Sequence, residues 1–339
     1  MNLVPIGTEF IWIMIFVYAI LGAIDFGASF WRWRFSLTGN WEAADIAQKF
    51  VSPTWELVNS FLALVPVALV GLFPGAASAY GEVLLIPAFL VLALLILRGA
   101  YWQFGYASTR KDNRTIWVVG ITGLILPGLF TTILALSQGG YVAKARDGSY
   151  TLPMGKFLLS PDVIVFFLFG LTMSLYLSAL FLTQYAKRAD NLAAYQAFRK
   201  SAINMGPFSL VTGFLVLVIT EPGQLDISHR LIPWWPLLTV SFLAFLFGYA
   251  WLIKNTTPGR PGVSLWATIV QLVCAQIAYG AAHYPYALYP YLTFRSAASN
   301  PSMFVTTLIV FIAGFILLAP GFILFRRLFI TDVKYSVSH

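Results

Sequence analysis

The sequence predicts an all-α integral membrane protein with nine transmembrane helices, arranged as two four-helix bundles plus one peripheral helix. Three observations carry this. Of 339 residues, 59% are hydrophobic and only 10% are charged, against about 25% charged in soluble domains. The apolar residues are gathered in runs of about 20, the length that crosses about 30 Å of hydrocarbon. The basic residues alternate by connection, crowding those after odd-numbered runs. The net charge of +8 therefore reads as topological rather than as a nucleic-acid surface.

The runs cover roughly 10–31, 54–73, 83–105, 115–137, 161–186, 202–220, 233–253, 264–282 and 302–325. Helices are required, because a span in lipid must satisfy its own backbone, and the alternation of a barrel strand is absent. The first run is too long for a signal peptide, with no basic segment before it and no small-residue cleavage site after it, so it is expected to stay in the mature protein. In the second, Pro53 and Thr54 mark a helix start, with Thr54 as N-cap. The stretch 186–200 is a good helix former that extends a span beyond the membrane.

Connections after spans one, three, five, seven and nine hold 3, 4, 4, 2 and 3 Lys or Arg residues; the other side holds five, Lys144, Arg146, Lys156, Arg230 and Arg295. This places the N-terminus outside and the C-terminus in the cytoplasm of a multi-pass plasma-membrane protein. The division is 1–137 for the first bundle, 138–300 for the second and 301–339 for the ninth helix and tail. No internal repeat supports the grouping.

Asp25 stands out, because a carboxylate within an apolar run costs about 2.5–3.5 kcal/mol on insertion scales and normally faces a partner or water. If span one ends near Trp31, Asp25 lies about 8 Å inside the cytoplasmic end. Glu56 opens the next span from the same side. With Thr54 and Asn59, the two acids could line a proton route leading inward from the cytoplasm. Two plainer readings stand beside it: Asp25 pairs with a basic residue or a partner subunit, and Glu56 complements the helix dipole in the first turn. Glu42, Asp45, Asp112, Asp190 and Asp332 read as solvated loop charges.

Redox cofactors find no ligands. His229, His283 and His339 fall in outer connections or the tail, Cys274 is alone, and no His, Cys or carboxylate group has metal-ligand spacing. Aromatic residues at span ends, among them Trp31, Trp102, Trp234 and Trp235, read as interfacial belts, and a groove lined by them could hold a lipid or quinone tail. A proton-coupled secondary transporter is the alternative function. Against it, the intramembrane acids lie near one face and spans five to eight show no matching acid.

Four stretches together are similar to a known family: Ala23-Ile24-Asp25-Phe26-Gly27, Pro53-Thr54-Trp55-Glu56-Leu57-Val58-Asn59, Val70-Gly71-Leu72-Phe73-Pro74 and Leu97-Arg98-Gly99-Ala100-Tyr101. They resemble subunit II of bacterial cytochrome bd quinol oxidases, in the form found in Gram-positive bacteria. The likeness is specific over about the first 110 residues; beyond them it rests on span count, orientation and length. It implies nine helices packed against a similarly folded subunit I that carries the haems b and d and the quinol site, in a respiratory complex that reduces oxygen to water. It also implies that Asp25 matches an acid of a proton entry route and Glu56 a second acidic position. Ala23-Ile24-Asp25 departs from the more usual Gly-Phe-Asp. The resemblance leaves open a small single-helix subunit and a quinone or lipid bound to this chain.

Overall fold

Long apolar runs become long helices. A computed structural model describes residues 3–107, 113–146, 148–219, 222–254 and 259–325; within them, the side chains of 52–57, 104–107 and 321–325 lie outside the description. The helices are α1 (Val4–Leu37), α2 (Trp41–Leu72), α3 (Pro74–Val83), α4 (Leu85–Ala107), α5 (Asn113–Ser137), α6 (Met154–Leu158), α7 (Pro161–Arg188), α8 (Leu192–Val218), α9 (Ile227–Arg230), α10 (Trp235–Lys254), α11 (Pro261–His283), α12 (Phe294–Ala297) and α13 (Pro301–Phe325). Among the described residues, eight helices are long and apolar enough to cross a membrane: α1, α4, α5, α7, α8, α10, α11 and α13. The second expected span falls in α2, whose described apolar part is the shorter stretch Val58–Leu72.

Several helices outrun their expected spans. The first continues six residues past Trp31 to Leu37, so Asp25 lies further from the helix end than the apolar run implies. The second starts at Trp41, where the Asn40 side chain accepts the Ala43 N–H as an N-cap. Pro53 and Thr54 are therefore inside a helix, Thr54 is not an N-cap, and Glu56 is not in a first turn. The cause is the segment 41–51, whose Ala43, Ala47, Phe50 and Val51 are buried in the main core while Glu42 and Asp45 remain exposed on the helix, not in a loop. Asn191 caps α8 in the same way through the Ala194 N–H, so 192–200 extends the sixth span.

The main core draws on α1, α2, α4, α5, α7, α8, α10 and α11. Its centre is α7, two-thirds of whose apolar window is buried, whereas the windows of α4 and α13 are 11% and 6% buried. Trp31 and Trp102, expected at an interface, are core residues; Trp235 is exposed.

The connections at one end form a packed layer. Two antiparallel hairpins, β1 (Ala143–Lys144) with β2 (Tyr150–Thr151) and β3 (Tyr286–Leu288) with β4 (Leu292–Thr293), sit there with α3, α6, α9 and α12. Their Tyr141, Phe157, Leu225, Ile227 and Leu288 join the helix ends in a second core cluster. This is the hairpin end; α1 and α7 run from it to the opposite end.

Candidate functional site

Asp25, in α1, is 1% exposed, and its Oδ2 accepts from Arg98 Nη2 at 2.8 Å. Arg98, in α4, is also 1% exposed. Its Nη2 also donates to Ser29 Oγ at 2.8 Å, and its Nη1 donates to the Val119 carbonyl of α5 at 3.0 Å. The guanidinium carbon lies 5.0 Å from the centre of the Phe26 ring, adding a cation–π contact. Three helices thus close around one ion pair.

Small residues allow that closure. A Cβ at Gly123 of α5 would meet the Phe26 carbonyl oxygen at 2.5 Å and Arg98 Nη1 at 3.3 Å. On the other side of α1, a Cβ at Gly27 would collide with the Ser178 side chain and meet the Ser174 carbonyl oxygen at 2.6 Å. Here α1 is joined to α7 by hydrogen bonds, from Ser174 Oγ to the Ala23 carbonyl at 2.8 Å and from Trp31 Nε1 to Ser178 Oγ at 3.1 Å. Close approach plus interhelical hydrogen bonding is how helices associate where lipid supplies no hydrophobic drive.

Of the residues expected to form the route, the structure brings Asp25 to Arg98 and Ser29. Asn59 is half-buried in α2; the side chains of Thr54 and Glu56 lie outside the described residues. Sequence reasoning missed Arg98, since the four basic residues assigned after span three were Arg98, Arg110, Lys111 and Arg114. The missed signal was its position: seven residues before the end of an otherwise apolar run, in the quoted Leu97-Arg98-Gly99, an arginine implies a buried counter-ion.

A second buried acid was also missed. Asp162, at the start of α7, is fully buried; it stands at the hairpin end of the fifth span, whereas Asp25 lies in the second half of α1. Tyr141 donates its hydroxyl to Asp162 Oδ1, and Gln224 Nε2 donates to Oδ2 at 2.6 Å. Nearby, Gln138 Nε2 donates to Tyr279 Oη at 2.8 Å and Tyr80 Oη donates to the Ala287 carbonyl at 2.6 Å. His283, expected in a connection, is the buried last residue of α11 and stacks on Tyr279. Among the described residues, no three His, Cys, Asp or Glu side chains are grouped as metal ligands.

A family model described as cytochrome bd terminal oxidase subunit II matches residues 5–329. The chain belongs to that family. A Bacillus subtilis (strain 168) protein named as a cytochrome bd menaquinol oxidase subunit II is 35% identical over 336 residues, covering 97% of this chain and 96% of the relative. A chain from the structure of bd oxidase from Geobacillus thermodenitrificans superposes with a TM-score of 0.81 at 33% identity, covering 98% of this chain and all of that one. As a bd oxidase subunit II, the chain is a multi-pass membrane component of a respiratory quinol oxidase, and its family implies a subunit I partner.

Proposed function

We propose that this chain is the haem-free subunit of a cytochrome bd quinol:oxygen oxidoreductase, scaffolding a subunit I that holds the haems and the quinol site, and that Asp25 relays protons from the cytoplasm. The N-terminus lies outside, the C-terminus inside, and the spans group as two four-helix bundles plus a ninth helix. Glu56, Thr54 and Asn59 belong to the approach to Asp25. Segregation of the basic residues supports the orientation; family membership supports the partner.

The observation that carries the relay reading is how Arg98 is held. A guanidinium has five N–H donors, and this one already binds two neutral acceptors, Ser29 Oγ and the Val119 carbonyl, besides the carboxylate. A proton arriving on Asp25 would neutralise the carboxyl without leaving Arg98 devoid of hydrogen-bond partners. A relay needs such tolerance of both protonation states. The bare ion pair also favours a second reading, in which Asp25 and Arg98 only lock α1 to α4.

The two readings separate in a double variant. Asp25→Asn alone removes the proton acceptor and the charge partner of Arg98 together, so slowed turnover does not separate the relay from the lock. Asp25→Asn with Arg98→Met removes both charges, and replacing a buried pair with uncharged groups of similar size is often neutral for stability. The relay reading expects an assembled complex with full haem content from the partner and quinol-driven oxygen consumption slowed by about tenfold or more. Unchanged turnover in that complex leaves only the structural lock. Purification without any haem-bearing membrane subunit would overturn the scaffold role.

A further inference from the structure

We propose that the groove between the ends of α7, α10 and α11 binds an anionic phospholipid, with the phosphate at Lys187 and Arg260 and an acyl chain along Phe247, Trp266 and Val270. The groove has a volume of 670 Å³ and includes Gln184 in its wall. It lies on the outside of the helix assembly, at the end opposite the hairpins, and shares no lining residue with the Asp25 and Arg98 site, so the proposal does not depend on the proton route.

The chemistry changes along its length as a lipid's does. At the helix ends the wall is polar: Gln184 and Lys187 come from the last turns of α7, and Arg260 immediately precedes α11. Lys187 Nζ donates to the Gly259 carbonyl, which fixes the ammonium beside Arg260. That bond uses one of three ammonium donors. Toward the middle of the helices the wall becomes apolar, and Trp266 and Phe247 are 68% and 55% exposed. From Arg260 to Val270 the helix rises about 15 Å, half the thickness of the hydrocarbon core.

Charge decides which lipid. Two cations stand at the mouth and none of the described lining residues is acidic, so a zwitterionic headgroup would bring an ammonium toward like charge. A soluble anion would use the mouth and leave the aromatic wall uncovered. Basic pockets between transmembrane helices are suited to anionic headgroups, each Lys or Arg near an anionic surface contributing about fivefold in affinity.

The test uses the full chain purified with its partner subunit, stripped of lipid and returned to vesicles of phosphatidylcholine with phosphatidylglycerol, one of the two carrying brominated acyl chains. The Trp266 contribution to fluorescence is the difference from Trp266→Phe. Brominated phosphatidylglycerol is expected to quench it more than brominated phosphatidylcholine at equal content. Arg260→Gln should lower that preference about fivefold, and Lys187→Gln with Arg260→Gln about thirtyfold. Equal quenching by the two lipids, or a preference that survives the double variant, overturns the proposal. So does abolition of the preference by millimolar inorganic phosphate at constant ionic strength, which would mark a soluble-anion site. If the double variant fails to assemble, Arg260→Glu decides in its place, because Arg260 is exposed: loss of the preference supports the site and its retention overturns it.

Discussion

Asp25 and Asp162 are both carboxylates sunk in a membrane protein, and the chain accommodates them by different means. Asp25 meets a full opposite charge, Arg98, brought from another long helix. Asp162 meets neutral donors, Tyr141 and Gln224, brought from the connections at the hairpin end. A charge partner supplies Coulombic attraction but must itself be kept from water, so losing either member strands the other. Neutral donors lose only a hydrogen bond when their acceptor changes. The first arrangement couples two helices through charge; the second fastens loops to a helix start, where a carboxylate is already favoured by the dipole.

The comparison can be broken by unequal substitutions. Arg98→Met alone should have the largest effect, about 3–5 kcal/mol of destabilisation, because it leaves the Asp25 carboxylate buried without its cation; loss of intact complex on heating in detergent measures it. Asp162→Asn should cost less, about 1–3 kcal/mol, since an amide oxygen still accepts the Tyr141 hydroxyl while its NH2 group faces the Gln224 donor. An effect at Asp162 equal to that at Arg98 would refute the distinction. Asp25→Asn with Arg98→Met should recover most of the single-variant loss, to within about 1–2 kcal/mol of the parent, and failure to recover would show that the Ser29, Val119 and Phe26 contacts of Arg98 outweigh its charge pairing.

The smallest effect belongs to an exposed acid. Asp226 caps α9, accepting from the His229 N–H at 3.0 Å and the Ser228 hydroxyl at 2.7 Å, and these bonds hold its carboxyl below the usual carboxylate range. A depressed folded value means that its contribution is fully present above the unfolded pKa, about 3.9, and is lost as pH falls through the lower folded one. Asp226→Asn should leave stability near pH 7 almost unchanged, because Asn also caps, and should slightly flatten its decline below pH 4. Thermal unfolding of both forms between pH 3 and 7 checks this.

Much of the fold was legible because lipid imposes a simple rule: long apolar runs become helices whatever their detailed sequence. What lay outside the rule was misread. Asn40 outranked Pro53 and Thr54 as a helix start because the buried alanines and Phe50 of 41–51 reward helix before the span begins. Arg98 was counted with loop charges since a tally by side takes no account of depth. Asp162 carries no mark of burial in the sequence, because it stands at the edge of its apolar run and its partners lie 21 and 62 residues away, in connections without periodic pattern. Asp25 itself was visible, being a lone charge in an apolar run, but the identity of its counter-ion required three helices to be placed side by side.

The stitching of the hairpin end has a mechanical consequence. Leu225 N–H donates to the Gln138 carbonyl, Tyr289 N–H donates to the Ser137 carbonyl, and Gly139 bridges to Gln224, so the connections that follow α5, α8 and α11 share one set of backbone bonds. At the opposite end, α7 passes to α8 through the short turn 189–191. That end is tied as well, but by side chains: Lys187 donates to the Gly259 carbonyl and Arg199 to the Leu252 and Ile253 carbonyls. The hairpin end is thus held by bonds that most side-chain substitutions leave in place, and the opposite end by bonds that a single substitution removes.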